Sequence, residues 1–251
     1  MKKNLFFFSL LFFSVWIRAQ DRAFLEKSKI TWLGHGYFLI NTATGIRVAI
    51  DPYDRNLFQY ELPGTIASDI VLVTHESNEA NLIEQVAGSP QIYRSATGLG
   101  LNVANGLRFL GTRSEKKNGT SNVVFSFRLG DVTIAHLGVL GNKLTSSDLE
   151  SIGAVDIVIA PVGHPLALSF EEQIETAKAL KAKILVPAFY ATEFSPNFRL
   201  NALEDLLKEQ KLPVKQLEFN YFPLTIALPK TLQIWVLKPP TSGNPSSPSV
   251  R

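Results

Sequence analysis

The chain contains no cysteine. That excludes disulfides, CxxC redox chemistry, zinc ribbons, thiol nucleophiles and a lipid-modified cysteine. No glycine-rich loop ends in Gly-Lys-Ser/Thr, and no Gly-x-Ser-x-Gly elbow is present. Gly34-His35-Gly36 and Gly98-Leu99-Gly100 both lack the third glycine of a dinucleotide loop. A true basic excess is missing as well. The formal net charge is +3, but without Lys2, Lys3 and Arg18 the basic and acidic residues balance at 22 each. Charge therefore gives no argument for nucleic acid or an anionic surface as a partner. The only long apolar run, Leu5–Ile17, is shorter than the roughly 20 residues that a membrane-spanning helix needs.

What is there is a globular chain. It has 251 residues, 45% hydrophobic and 19% charged, enough for a sizeable core. Lys2, Lys3 and Asn4 precede the apolar run, and Arg18-Ala19-Gln20 follows it. A basic start, a short apolar stretch and a small residue read as a signal peptide over residues 1–20. The body is then exported, periplasmic or secreted, with no membrane span after signal removal. At the other end, residues 238–251 carry four prolines and little to bury, and read as a disordered tail. Between 22 and 237 no linker, charge block or repeat interrupts the chain, which predicts one domain.

Its first half reads as strands. Lys29–Leu33, Tyr37–Asn41, Ile46–Ile50 and Ile70–Thr74 are short β-branched or aromatic runs between turn signals. Glu79–Val86 has helical character. Gln91–Tyr93, Leu107–Leu110, Asn122–Arg128 and Val132–His136 continue the strands. Asn118-Gly119-Thr120 reads as a tight turn and Glu115-Lys116-Lys117 as a solvated one. In the second half, helices over Ser146–Ser151, after the capping box Ser169-Phe170-Glu171-Glu172, and over Asn201–Glu209 alternate with buried strands Ile157–Ala160, Ile184–Val186 and Leu232–Leu237. This mixture predicts an α/β (α+β) fold, a sheet-rich core with helices outside.

The four histidines, His35, His75, His136 and His164, each fall at or just after a predicted strand, where loops gather and sites are built. Here the chain resembles a family. Ile30-Thr-Trp-Leu-Gly-His-Gly-Tyr-Phe-Leu-Ile40, Ile50-Asp-Pro52, Val71-Leu-Val-Thr-His75, His136-Leu-Gly138, Pro161-Val-Gly163 and Val186-Pro187 with Phe189-Tyr190 follow in order. They resemble metallo-β-lactamase-fold hydrolases, in the branch with the ascorbate-phosphate lactonases. The resemblance covers about 28–237. It implies a four-layer αββα sandwich with a metal site at one edge between the sheets.

It also implies a set of ligands, many of which are replaced here. The motif Thr-His-x-His-x-Asp-His stands as Thr74-His75-Glu76-Ser77-Asn78-Glu79-Ala80. His-Leu-Gly-Asp stands as His136-Leu137-Gly138-Val139, and Pro-x-His-Tyr as Pro187-Ala188-Phe189-Tyr190. His75 and His136 remain, and Glu79 conservatively. Two ions about 3.5–4 Å apart need carboxylates to clamp them, and Val139 offers none. One ion needs about three protein ligands and an open position, which His164 or Glu79 would complete beside His75 and His136. His35, Asp51, Ser77, Val139, Phe189 and Tyr190 are expected to line or border the cleft. His75, Ser77 and Glu79 are the residue types of a nucleophilic triad, but residues two apart on an extended segment do not converge.

Two functions follow as expectations. The first is an exported protein with a degenerate metal site, a non-catalytic relative that binds a small molecule or a protein. Apolar replacements such as Val139 and Phe189 fit it, because a buried polar group left without its metal would cost about 1–3 kcal/mol. The second is a hydrolase of ester, lactone or phosphoester bonds using at most one zinc or other divalent metal, held by His75, His136, Glu79 and His164.

Overall fold

A computed structural model describes residues 28–241. The expected signal peptide lies outside the described residues, and so do residues 242–251 of the expected tail. The start of that tail segment is held, with Lys238 N donating to Phe219 O at 3.2 Å.

In chain order the strands are β1 (Lys29–Trp32), β2 (Phe38–Asn41), β3 (Arg47–Ile50), β4 (Ile66–Ala67), β5 (Ile70–Val73), β6 (Val86–Ala87), β7 (Gln91–Arg94), β8 (Gly100–Ala104), β9 (Leu107–Glu115), β10 (Ser121–Leu129), β11 (Val132–His136), β12 (Ile157–Pro161), β13 (Ile184–Ala188), β14 (Val214–Gln216), β15 (Tyr221–Pro223) and β16 (Gln233–Val236). Six of them form one sheet in the order β15-β1-β2-β3-β5-β7, and eight a second in the order β14-β16-β13-β12-β11-β10-β9-β8.

Alternation along the strands decides what each face buries. Ile30, Trp32, Phe38, Ile40, Val48, Ile50, Ile70 and Leu72 join Phe109, Phe125 and Ile134 of the second sheet in one core. Leu33, Tyr37, Ala49, Val71 and Val73 emerge on the opposite face of the first sheet. The result is the expected two-sheet sandwich.

The outer layers are unlike each other. The eight-stranded sheet is covered by the helix Phe170–Ala179, which buries Phe170, Ile174 and Ala177. Ser169 caps that helix: its hydroxyl accepts from Glu172 N at 3.3 Å, and the Glu172 carboxylate accepts from Ser169 N at 3.0 Å. The six-stranded sheet is covered instead by Tyr53, Phe58 and Tyr60 and by the two-stranded ribbon β4–β6. The helix expected over 79–86 is reduced to a 3-10 turn at Ile83–Gln85. Its backbone bonds go elsewhere: Leu82 N donates to Pro52 O at 2.8 Å, and Asn78 O accepts from Asp54 N at 2.9 Å. Tied to the 52–54 loop, the segment cannot propagate helical bonds of its own.

The second sheet runs parallel through β11, β12, β13 and β16, and the first through β3, β5 and β7. Loops leaving the carboxyl ends of these strands meet at one edge of the sandwich. That edge carries Asp51, His75, His136, His164 and Phe189. Among the described residues, no helix is long and apolar enough to cross a membrane.

Candidate functional site

Glu79 is the centre of the site. Its Oε1 lies 3.2 Å from His75 Nε2 and 3.4 Å from His164 Nε2, and its Oε2 lies 3.2 Å from His35 Nε2. The proton positions follow from the other ring nitrogens. His164 Nδ1 accepts from Leu166 N at 3.1 Å, so its Nε2 carries the proton and donates to Glu79. His35 Nδ1 has no partner among the described residues, which leaves Nε2–H as its one bonded group. Burial opposes charge on Glu79, but hydrogen bonds from His164, His35 and His75 outweigh it and hold the carboxyl well below its usual range. Burial also lowers His35, and lowers His75 to about 4, against the pull of Glu79 in both cases. The hub is thus a carboxylate held by His35 and His75, which burial keeps neutral, with His164 Nε2 at its third approach.

Asp51 joins this hub through Thr74. Its Oδ1 and Oδ2 lie 2.7 Å from Thr74 N and Thr74 Oγ1, and Thr74 Oγ1 lies 2.8 Å from His75 Nδ1. Asp51 is fully buried, and burial pushes its carboxyl up to about 8 despite the two bonds from Thr74. Thr74 thus donates to Asp51 from both its N–H and its hydroxyl, and the same hydroxyl oxygen faces His75 Nδ1, which places Asp51 one residue behind the hub.

His136 stands apart from the hub. Its Nε2 lies 3.2 Å from Gly36 O, and its Nδ1 accepts from Gly138 N at 3.1 Å. Burial lowers it to about 3. Both nitrogens are therefore committed to backbone. Val139 and Tyr190 belong to the main core, and Tyr190 lies 5.3 Å from the Trp32 ring. Ser77 Oγ is buried without a hydrogen-bond partner among the described residues.

Phe189 fills the space between the histidines. Its ring centroid lies 4.6 Å from that of His35, 6.2 Å from His75, 6.3 Å from His136 and 6.0 Å from His164. Room for it comes from Gly36, where a Cβ would lie 2.1 Å from the ring. Phe189, His35 and Asp51 all have left-handed backbone, at φ of 54°, 50° and 53°. Strain of this kind in non-glycine residues gathers at sites where the surrounding structure over-determines the conformation.

Two openings flank the hub. A cavity of about 700 Å³ has His164 in its wall, with Lys117, Phe170 and Leu206. A second, of about 330 Å³, has His75 in its wall, with Thr74, Glu76, Ser95 and Lys116. The hub side chains themselves are nearly closed off, with Glu79 12% exposed, His164 7%, and His35 and His75 not at all.

The sequence profile of the β-lactamase superfamily domain matches residues 29–188. The chain belongs to the metallo-β-lactamase superfamily. A candidate Zn-dependent hydrolase of this superfamily from Thermotoga maritima is 29% identical and superimposes with a TM-score of 0.68, over 83% of this chain and 97% of that one. A UPF0173 protein from Pyrococcus abyssi is 29% identical over 184 residues, 65% of this chain and 84% of its own length. A UPF0173 metal-dependent hydrolase from Thermoplasma acidophilum is 23% identical over 193 residues, 67% of this chain and 85% of its own.

The superfamily implies a metal, and the residues present here do not fit its metal pair. Among the described residues, no three His, Cys, Asp or Glu side chains are disposed to hold an ion together. Val139, where the resemblance implies a carboxylate, offers no metal-binding atom, Phe189 stands among the histidines, and both ring nitrogens of His136 face backbone groups. Glu79 does bring His75 and His164 together, and His35 with them.

Sequence reasoning missed Thr74 and Lys116. Thr74 carried a signal, since it is the threonine of the Thr-His motif. Lys116 carried none, because its place beside His75 depends on a hairpin forty-one residues further along the chain.

Proposed function

We propose that this chain is a non-catalytic member of the metallo-β-lactamase superfamily, exported from the cytoplasm, whose edge cleft binds a small molecule without a metal. The observation that carries this reading is Phe189: its ring lies within 4.6–6.3 Å of all four histidine rings. In place of a cation, the Glu79 anion draws the imidazole N–H groups together. That exchange is chemically balanced, because a buried carboxylate with three charge-assisted donors is satisfied without an ion. The likeness to ascorbate-phosphate lactonases is one of motif order alone, since Ala80, Val139 and Phe189 replace residues such a hydrolase would use on its metals. Export is argued from Lys2, Lys3 and the apolar run Leu5–Ile17.

The rival reading is a hydrolase with one metal on His75, His164 and Glu79. The convergence of the two histidine Nε2 atoms on Glu79 Oε1 favours it. Metal content decides between the two. Elemental mass spectrometry of the purified protein, before and after dialysis against a weak chelator and after zinc is added back, is expected to find no stoichiometric metal. About one zinc, iron or manganese per chain would overturn the proposal and turn the search to ester and lactone substrates. Mass spectrometry of the exported chain tests the signal, which predicts loss of about the first twenty residues.

A further inference from the structure

The turn Glu115-Lys116-Lys117, expected to be solvated, is anchored from both sides. Lys117 N donates to Leu166 O at 2.8 Å, Gly141 N to Glu115 O at 2.8 Å, and Glu115 N to Asn142 Oδ1 at 2.9 Å. Gly141 lies flat against it, where a Cβ would come 2.1 Å from Lys117 N. The turn stands between the two cavities. Lys116 faces the smaller one beside His75, and Lys117 the larger one beside His164.

The smaller cavity has no apolar side chain in its wall. Thr74, His75, Glu76, Ser95, Lys116, Asn118, Thr120 and Ser121 line it. Its one carboxylate at the surface is already matched. Glu76 accepts from Arg94 Nε at 2.8 Å, Ser95 Oγ at 2.9 Å and Asn81 Nδ2 at 3.0 Å. Lys116 is different. It is partly buried, and its ammonium makes no hydrogen bond or ion pair among the described residues. Glu79 and Asp51 act on it only through space. The hydroxyl of Ser121 and the amide N–H groups of Asn118 are also unpaired among the described residues. Three sets of donors thus line a cavity whose one carboxylate, Glu76, is already taken up by Arg94, Ser95 and Asn81.

We propose that this cavity is the binding site for a small hydrophilic anion, whose carboxylate or phosphate group sits on Lys116 with Asn118 and Ser121 as flanking donors. Both groups offer several acceptor oxygens, which is what unpaired ammonium, amide and hydroxyl donors recognise. A volume of about 330 Å³ is at the small end of ligand pockets, so the rest of the molecule is small. This inference rests on the reading of the cleft as a binding site without a metal.

The test is calorimetric titration of the full-length, chelator-treated protein with inorganic phosphate and, separately, with acetate, at constant ionic strength. Saturable binding of either anion is expected. Lys116→Met should weaken it at least about tenfold, Lys116→Arg should retain it, and Lys117→Met should leave it unchanged. Thermal melts in chloride verify that the variants are folded. Binding of phosphate alone assigns a phosphate monoester, and of acetate alone a carboxylate. No binding of either anion would overturn the anion site while leaving the metal-free reading intact. Binding that needs added zinc and is unaffected by Lys116→Met would overturn both.

Discussion

Gly36 lies directly beneath the ring of Phe189. A Cβ at Gly36 would come 2.1 Å from one ring carbon and 2.6–2.7 Å from two others, and Phe189 is completely buried. The ring cannot swing away, because histidines surround it. Gly36→Ala is therefore expected to destabilise the fold by about 1–3 kcal/mol, the range for overpacking a tight core. Denaturant unfolding followed by tryptophan fluorescence measures this. The double variant Gly36→Ala, Phe189→Leu should recover part of the loss, since the smaller side chain vacates the contact. A single variant as stable as the parent would mean that Phe189 is not fixed where it is described.

Glu79 makes the second prediction. Glu79→Ala leaves the Nε2–H groups of His35, His75 and His164 without their common acceptor. Each buried donor left unpaired costs about 1–3 kcal/mol, reduced here to the extent that water enters the space. A total of about 2–5 kcal/mol is expected by the same reasoning. Glu79→Gln should cost less than the alanine variant, because one oxygen remains, but should not be neutral, because its amide N–H faces a histidine N–H. Denaturant midpoints rank the three proteins. A neutral Glu79→Ala variant would remove the hub as a structural element.

Val139→Asp is the third. This single change restores the carboxylate that the superfamily implies, but Val139 is buried in the main core with its N–H on Asn122 Oδ1 at 2.8 Å. A charge placed there without a metal is expected to cost more than about 3 kcal/mol. Zinc added to the variant should not rescue its melting temperature, because Phe189 still stands among the histidines and His136 is still committed to backbone. Rescue by stoichiometric zinc would mean that the site can hold metal once this one residue is a carboxylate.

These residues also set how much could be read in advance. Strands at 29–50 and 70–73 were legible because apolar residues alternate or run on between turn signals, and their bounds shift by only a residue or so. The nine-residue β9 and β10 were read too short, because their outer ends carry polar residues such as Arg113, Glu115 and Ser121 that give no strand signal. β8 was missed for the opposite reason. It is an edge strand with Leu101 and Val103 exposed, so it lacks a buried face. The motif residues at the site were legible singly, from order along the chain. Their grouping was not. His35 and Glu79 are 44 residues apart, and only the tertiary fold decides that His35 joins Glu79 while His136 turns to Gly36.

The last prediction is a stability maximum near pH 6.5. His75 and His136 are lowered by burial to about 4 and about 3, from about 6.5 in the unfolded chain. As pH falls below 6.5 the unfolded state takes up these two protons and the folded state does not, so stability is lost on the acid side. Each group contributes a slope of roughly 1.4 kcal/mol per pH unit. Asp51 works in the other direction. Burial raises it to about 8, so from about pH 4 upward the folded state keeps a proton that the unfolded state has released. Its contribution falls as pH rises through that whole window. Below pH 6.5 these two histidines, with His35 acting in the same direction, outweigh one aspartate, and the net slope is positive. Between 6.5 and 8 only Asp51 still acts, and the slope turns negative. Asp51→Asn isolates this limb. The asparagine keeps an oxygen for Thr74 N, and its N–H can meet a lone pair of Thr74 Oγ1, so the fold is expected to survive at neutral pH. Denaturant unfolding across pH 5 to 9 should show a peak for the parent protein and a flat upper limb for Asp51→Asn. If the two curves fall together above pH 6.5, Asp51 does not hold its proton in the folded state.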